Sequence, residues 1–383
     1  MDLITEKEKQ HYVPRFYLKF FSDNNKSVGM YRFPERRIIP HASIYDNFNI
    51  SFFYGEDGKM EDAFAEFEGK WDTIIKKIIN TRTLPSSDEE VLLLRLLFLL
   101  QSARTKYKGE EIEDYYTKLF LRILSYKDYD LYCKIKGKFK IKRKYPTLPY
   151  IEAALTIVPQ TYDLKIGIII NESNVDFITS DNPVIFCNQL FEVKRLKRGF
   201  GFANIGIQFL LPISPKILLC MYDSDVYDLK LSLTTHSSKI KKINSMIVNN
   251  SFESIVFKYY KDSPNFIDYI TRIANKKAIE KTSQEIPKDE VLIRNRQLKG
   301  DYDLSDFFSI KQKYKKMIIK DPTNEEIEQQ VQNYLIDHLI IKERNGELKE
   351  SIENDDVAQI MVPYCDSVSV RPWAQRIIDK GVK

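Results

Sequence analysis

The ten residues Val91-Leu-Leu-Leu-Arg-Leu-Leu-Phe-Leu-Leu100 constrain this chain more than any other stretch. Nine of the ten are apolar, so a helix built from them has no face to give to water. Such a helix must lie centrally, with other elements packed on several sides. It stops at Gln101 and carries Arg95 in its middle, far short of the roughly 20 apolar residues that a membrane span requires. Ser86 or Ser87 starts it, and Glu89 and Glu90 complete a capping-box pattern.

The helix before it, Met60 to Asn80, places Phe64, Phe67, Trp71, Ile74, Ile75 and Ile78 on one stripe with a period of about 3.6. At about 100° per residue, Glu61 and Glu68 fall together at the edge of that stripe, while Glu66 faces away. Carboxylates bordering an apolar face can ligate metals or titrate abnormally; ordinarily they reach water or pair with a lysine such as Lys70. Arg104, just past the apolar helix, either complements the helix dipole or reaches an anionic ligand or one of those glutamates. A further helix is expected from Glu110 to Tyr126.

β patterns take over from about Pro159. Thr161 to Ile170, Asp176 to Thr179, and the pair Phe209 to Pro215 and Lys216 to Tyr222 read as strands; so do Val28 to Phe33 and Arg36 to Ile39 around Pro34-Glu35. Ser237 or Ser238 caps a helix extending to about Phe257, in which Asn244 shares the stripe of Ile240, Ile243 and Ile247 and so needs a buried partner. Helical patterns resume at Phe266 to Glu280 and Glu325 to Lys342. The expected class is α+β, mostly helical, with a central mixed or antiparallel sheet and a C-terminal helical extension. The core spans 1–260 (helical 60–130, β-rich 159–222, helix 237–257) and the extension 261–383.

In the most charge-biased segment, Lys134, Lys136, Lys138, Lys140 and Lys142 alternate with Ile135, Phe139 and Ile141. As a strand this gives one basic and one apolar face. Lysines so arranged either track a nucleic-acid backbone or blunt the edge of a sheet. The whole chain carries only +5, from 59 basic and 54 acidic residues, which permits such a partner without requiring one. Cys133, Cys187, Cys220 and Cys365 show no ligand spacing and suit buried thiols of a reducing cytoplasm. The N-terminus shows no apolar secretion signal, and no membrane partner is expected.

Two stretches gather chemistry-bearing residues. In His11-Tyr-Val-Pro-Arg-Phe-Tyr-Leu-Lys-Phe-Phe21, Pro14 makes the lead-in extended and allows a helical turn after it. His11 is then either a buried hydrogen-bonding histidine or a base or metal ligand. In Phe177-Ile-Thr-Ser-Asp-Asn-Pro-Val-Ile-Phe186, apolar strands flank a polar tetrad kinked by Pro183. Asp181 either bonds the local backbone or serves as a functional carboxylate beside Asn182.

These two motifs, the glutamate-bearing helix, Arg104, the Leu211-Pro-Ile-Ser-Pro215 turn and Asn244 followed by Asn249 resemble the bacterial domain-of-unknown-function family 4238 over roughly residues 8–260. The resemblance brings no activity with it. It implies that His11, Asp181 and Asn182, and with them Glu61, Glu68 and Arg104, belong to one constellation. Such a set suits Mg²⁺ or Mn²⁺ on His11, Glu61, Glu68 and Asp181. With His11, Glu68, Arg104, Asp181 and Asn182 catalytic and Lys136, Lys138, Lys140 and Lys142 on the substrate, the expectation is a metal-dependent, nuclease-like hydrolase of nucleic acid or nucleotides, as in a phage-defence or toxin effector. The alternatives are a non-catalytic binding protein with a buried polar network, or a metal-free nucleotide glycosidase or transferase using Glu68 or Asp181 as base.

Overall fold

A computed structural model describes residues 8–196, 201–230, 232–259, 264–277 and 302–318. The N-terminal part runs β1 (Lys9–His11), α1 (Arg15–Lys19), β2 (Ser27–Arg32), β3 (Arg37–Ser43) and β4 (Asn49–Ser51). Helices follow: α2 (Lys59–Thr81), α3 (Asp88–Ala103), α4 (Lys106–Lys127), α5 (Tyr129–Ile135) and α6 (Leu148–Ile157). Next come β5 (Leu164–Asn171), β6 (Thr179–Ser180), β7 (Ile185–Cys187), α7 (Gln189–Val193), β8 (Gln208–Ser214) and β9 (Ile217–Asp223). The remainder is β10 (Tyr227–Leu229), β11 (Leu233–Thr234), α8 (Ser237–Asn250), β12 (Ser254–Phe257), α9 (Pro264–Asn275), β13 (Phe308–Ile310) and α10 (Gln312–Lys316). The class is α+β with mixed and antiparallel sheets, as the sequence pattern indicates.

A five-stranded sheet in the order β11-β5-β9-β8-β7 forms the centre. Its strands β8 and β9 are buried on both faces, which is why they read as continuous apolar runs. The strand period of two divides those runs between two cores. Phe209, Leu211, Ile213, Leu219 and Met221 join the core built with α2, α3 and α6. Leu210, Leu218, Cys220 and Tyr222 join the core built with α8 and α9. The apolar helix α3 occupies the first core as its composition demands, with Leu94, Leu97, Phe98, Leu99 and Leu100 all buried.

A second sheet, β3-β2-β12-β6, is wholly antiparallel. The Ser-Asp-Asn-Pro bend carries the chain from β6 of this sheet to β7 of the other.

Several expectations are corrected. The helix expected to reach Phe257 stops at Asn250, because Ser251 turns extended (φ −60°, ψ 155°) and Ser254–Phe257 inserts between β2 and β6. The lysine-rich segment is no strand: Lys134 and Ile135 end α5, and the chain beyond runs irregularly past α4. There Thr117 and Glu113 accept the amides of Ile141 and Arg143 at 2.9 and 3.1 Å, in place of a neighbouring strand. The region after 260 is not purely helical, since β13 pairs with β10, and Phe307 and Phe308 enter the second core. The helix expected at Glu325 to Lys342 lies outside the described residues, as does Cys365.

Gly29 of β2 lies opposite Phe257, and a Cβ there would meet the phenyl ring at 2.4 Å. Gly29→Ala should therefore cost about 1–3 kcal/mol of stability in a denaturant titration.

Candidate functional site

The opening motif begins with β1 pairing antiparallel to β4, His11 opposite Asn49. Val13 is fully buried and Pro14 (φ −63°, ψ 140°) stands at the N-terminus of α1, so the extended lead-in and short aromatic helix follow from that proline. The His11 ring donates from Nε2 to the Tyr45 carbonyl at 3.1 Å. Burial, then the nearby Arg15 charge, lower its pKa to about 4, so the imidazole is neutral at pH 7.

His11 meets Arg104 through its main chain. Arg104 caps α3, is 1 % exposed, and donates from Nη2 to the His11 carbonyl at 2.5 Å. Its Nη1 bonds Glu68 at 2.9 Å, Nε bonds the Tyr54 hydroxyl at 3.1 Å, and the guanidinium lies over the Phe64 ring at 4.0 Å. Burial alone would depress Arg104, yet Tyr54 and Glu68 hold it above its ordinary pKa. Of the two readings for this arginine, contact with a helix-edge glutamate is the one realised.

Neighbouring side chains do the same work. Gln10 bonds the Gly55 carbonyl and the Tyr54 amide, and Gln101 donates to the Tyr12 carbonyl. Glu61 acts on the Tyr54 hydroxyl by charge, as Glu68 does.

The bend is tied just as densely. Asp181 Oδ1 accepts the amide of Phe252 at 2.8 Å, and Oδ2 accepts those of Glu253 and Ser254 at 2.6 and 2.9 Å. Burial raises its pKa against the pull of these amides and of Lys277. Asn182 donates to the Asn250 carbonyl at 2.9 Å, while the Asn250 amide returns bonds to the carbonyls of Asn182 and Val184. Asn244 finds its buried partners in the Ile178 amide and Asp176 carbonyl, at 3.1 and 2.8 Å. The asparagine that faces the bend after Asn244 is thus Asn250, not Asn249.

The two motifs do come together, but through tyrosines. Tyr17 of α1 places its hydroxyl 2.6 Å from Thr179 Oγ1 and donates to the Pro212 carbonyl. Burial raises the Tyr12 pKa first, and the charges of Asp181 and Glu253 raise it further. The His11 ring shares no hydrogen bond with Asp181; its bond goes to Tyr45. Tyr12, Tyr17, Tyr54, Gln10, Gln101 and Asn250 were missed as site residues. The alternation of β1, which sets Gln10 on the face opposite His11, was the one available signal.

The residues proposed for a divalent ion do not fit one. Both Asp181 oxygens already accept backbone amides, Glu68 holds Arg104, and the His11 ring holds Tyr45. Among the described residues no group of three or more His, Cys, Asp or Glu side chains is placed to hold a metal ion.

The lysines stand apart from this frame. Lys136, Lys138, Lys140 and Lys142 are exposed beyond α5, with Tyr126 71 %, Tyr129 55 % and Phe139 38 % exposed around them. The Phe120 and Phe139 rings lie 5.0 Å apart, and those of Tyr129 and Tyr132 5.8 Å. Positions 118–144 hold ten basic and two acidic residues, or +8; with the chain at +5, everything else sums to −3.

Fold and site define an α+β protein whose signature polar residues tie main chain to main chain across two sheets. The chain belongs to the family described as Protein of unknown function (DUF4238), whose model matches residues 9–261. Neither the curated proteins nor the solved structures contain a match. Among the described residues no helix is long and apolar enough to cross a membrane.

Two outcomes test this geometry. His11 has a lowered folded pKa, so the unfolded chain binds the extra proton; its contribution is complete above pH 6.5 and is lost as pH falls toward about 4. Stability should decline over that interval, and His11→Gln should flatten the decline in urea titrations. Asp181→Ala strands three buried amides and should lower stability by roughly 3 kcal/mol or more, with Asp181→Asn milder. A purely catalytic carboxylate would leave the melting temperature unmoved in both variants.

Proposed function

We propose that this protein is a non-catalytic binder of single-stranded nucleic acid, with the basic arm at 118–144 as its contact surface and the family motifs as its frame. The observation that carries the reading is the concentration of +8 in the arm against −3 elsewhere, interleaved with exposed rings. A groove of phosphate-binding ammonium groups beside sequence-tolerant stacking platforms is what single strands require. The ordinary account of these lysines, protection of a sheet edge, does not apply, because the segment is not in a sheet.

At the ends of the arm Lys118 pairs with Asp114 at 2.7 Å and Lys144 with Glu56 at 3.2 Å, while the loop lysines between them are held more loosely. Lys140 reaches Glu113 only at 3.8 Å, while Lys136 sits 5.7 Å from the Tyr132 ring. Arg143 lies 5.3 Å over Tyr116, so cation and ring are already paired as a base and phosphate would find them. Hydrolysis at Asp181, with Mg²⁺ or Mn²⁺ or without metal, is the less favoured reading, since Asp181 and Glu68 would first have to surrender their partners.

Fluorescence anisotropy with labelled single-stranded RNA and DNA tests the proposal. Binding should weaken steeply with salt, and joint Glu substitution of Lys136, Lys138, Lys140 and Lys142 should reduce the log–log salt slope by about 3, at about 0.7 per phosphate contact. Melting temperature should not change. No binding at low salt, or binding indifferent to these substitutions, would overturn the proposal. Cleavage of the same oligonucleotides with Mg²⁺ or Mn²⁺, abolished by Asp181→Asn in a folded protein, would establish the hydrolase instead.

A further inference from the structure

We infer that a groove beside the middle of α3 is a second binding site, for a small planar molecule carrying an anionic group. The groove has a volume of about 420 Å³ and is lined by Arg95, Tyr162, Asp163 and Lys165 over an apolar floor that includes Leu84 and Val91. That volume falls in the range of small-ligand pockets.

Arg95 is the reason to expect an anion. It breaks the apolar run of α3 and is only 9 % exposed, yet its guanidinium bonds no carboxylate. Its Nη1 donates to the Thr161 carbonyl; Nη2 donates to the carbonyls of Leu164 at 2.8 Å and Tyr162 at 3.4 Å. Among the described residues no acceptor takes its Nε–H. Burial lowers the pKa of this group, and the charges of Asp163 and Tyr162 oppose that only in part.

Arg104, capping the same helix, shows the contrast: it is still more deeply buried and has Glu68 at 2.9 Å. An apolar side chain would fill the position of Arg95 without the desolvation cost of a charge. Three carbonyl dipoles soften that cost but do not neutralise it. A ligand anion at the groove would complete the shell.

The neighbours set the shape of the ligand. Lys165 is exposed at the groove and has no carboxylate within bonding reach among the described residues, so it supplies a second cation. With Asp163 opposing, the groove is net +1. Tyr162 is 59 % exposed, with its ring 5.9 Å from the Arg95 guanidinium. A ring that is exposed beside a buried cation can stack a flat molecule whose acidic group points at Arg95. The site lies apart from both the motif frame and the basic arm, and it does not depend on the nucleic-acid reading.

Calorimetric titration of the full chain with AMP, UMP, benzoate, inorganic phosphate and adenosine tests the inference. One or more of the three planar anions should bind at least roughly tenfold tighter than inorganic phosphate or neutral adenosine. Lys165→Glu and Tyr162→Ala, both at exposed positions, should each weaken binding roughly tenfold, and Asp163→Asn should tighten it. Joint substitution of the four arm lysines should leave this binding intact, which separates it from the proposed nucleic-acid surface. Absence of binding by all three planar anions, equal binding of inorganic phosphate, or indifference to Lys165→Glu and Asp163→Asn would overturn it.

Discussion

A carboxylate stripped of water pins the crossover between the two sheets of this protein to the start of β12. Asp181 stands where the chain leaves the four-stranded sheet for the five-stranded one, and it accepts three successive amides from Phe252 to Ser254. Those amides lead into β12, the strand that joins β2 to β6. A charged acceptor is stronger than a neutral one in such a place, and three donors offset part of the cost of burying it. Asn182 and Asn250 then lock the following residues to the end of α8. Remove the acid, and the crossover loses the group that fixes where β12 starts.

A second tie of the same kind fixes the amino end. Arg104 takes the His11 carbonyl, the Tyr54 hydroxyl and Glu68 at once, joining β1, the loop after β4, α2 and α3. Tyr17 connects this assembly to the bend through Thr179 and Pro212. These side-chain bonds, to main chain and to other side chains, span large sequence separations, so they report assembly of the tertiary fold and not local structure. Their density explains why the polar residues of both motifs lie almost out of reach of solvent.

The contrast between the two arginines and the rest of α3 shows how much the sequence could convey. An apolar run long enough for a helix declared its central place; α2 was legible from its period, and β2, β3, β8 and β9 from short apolar runs broken by turns. Asn244 was legible too, because an amide on an apolar stripe must find partners. What periodicity could not supply was pairing at a distance. β1 and β4 are three residues each and lie about 40 positions apart, and β12 follows a helix with only Ser251 to mark the change. The site was half legible for a related reason. Histidine, aspartate, asparagine and arginine are the residues of hydrolytic centres, and equally those that satisfy stray backbone groups. Only the identity of each partner separates the two uses, and partners are not written in one sequence.

Charge is distributed in the opposite way to these bonds. Within the frame, buried cations and acids are engaged by backbone or by each other, and the described residues outside 118–144 are close to neutral. In the arm, +8 is spread over the last turns of α4, the short helix α5 and an irregular loop held to α4 by Thr117 and Glu113. A nearly neutral frame bearing one strongly positive segment draws a polyanion to that segment, so the field itself favours one face of approach. The loop's attachment limits how far its lysines can spread, which keeps ammonium groups and rings on one surface instead of a free tail. Rigid framing by buried polar ties and segregation of charge are therefore two parts of one arrangement, the first making the second directional.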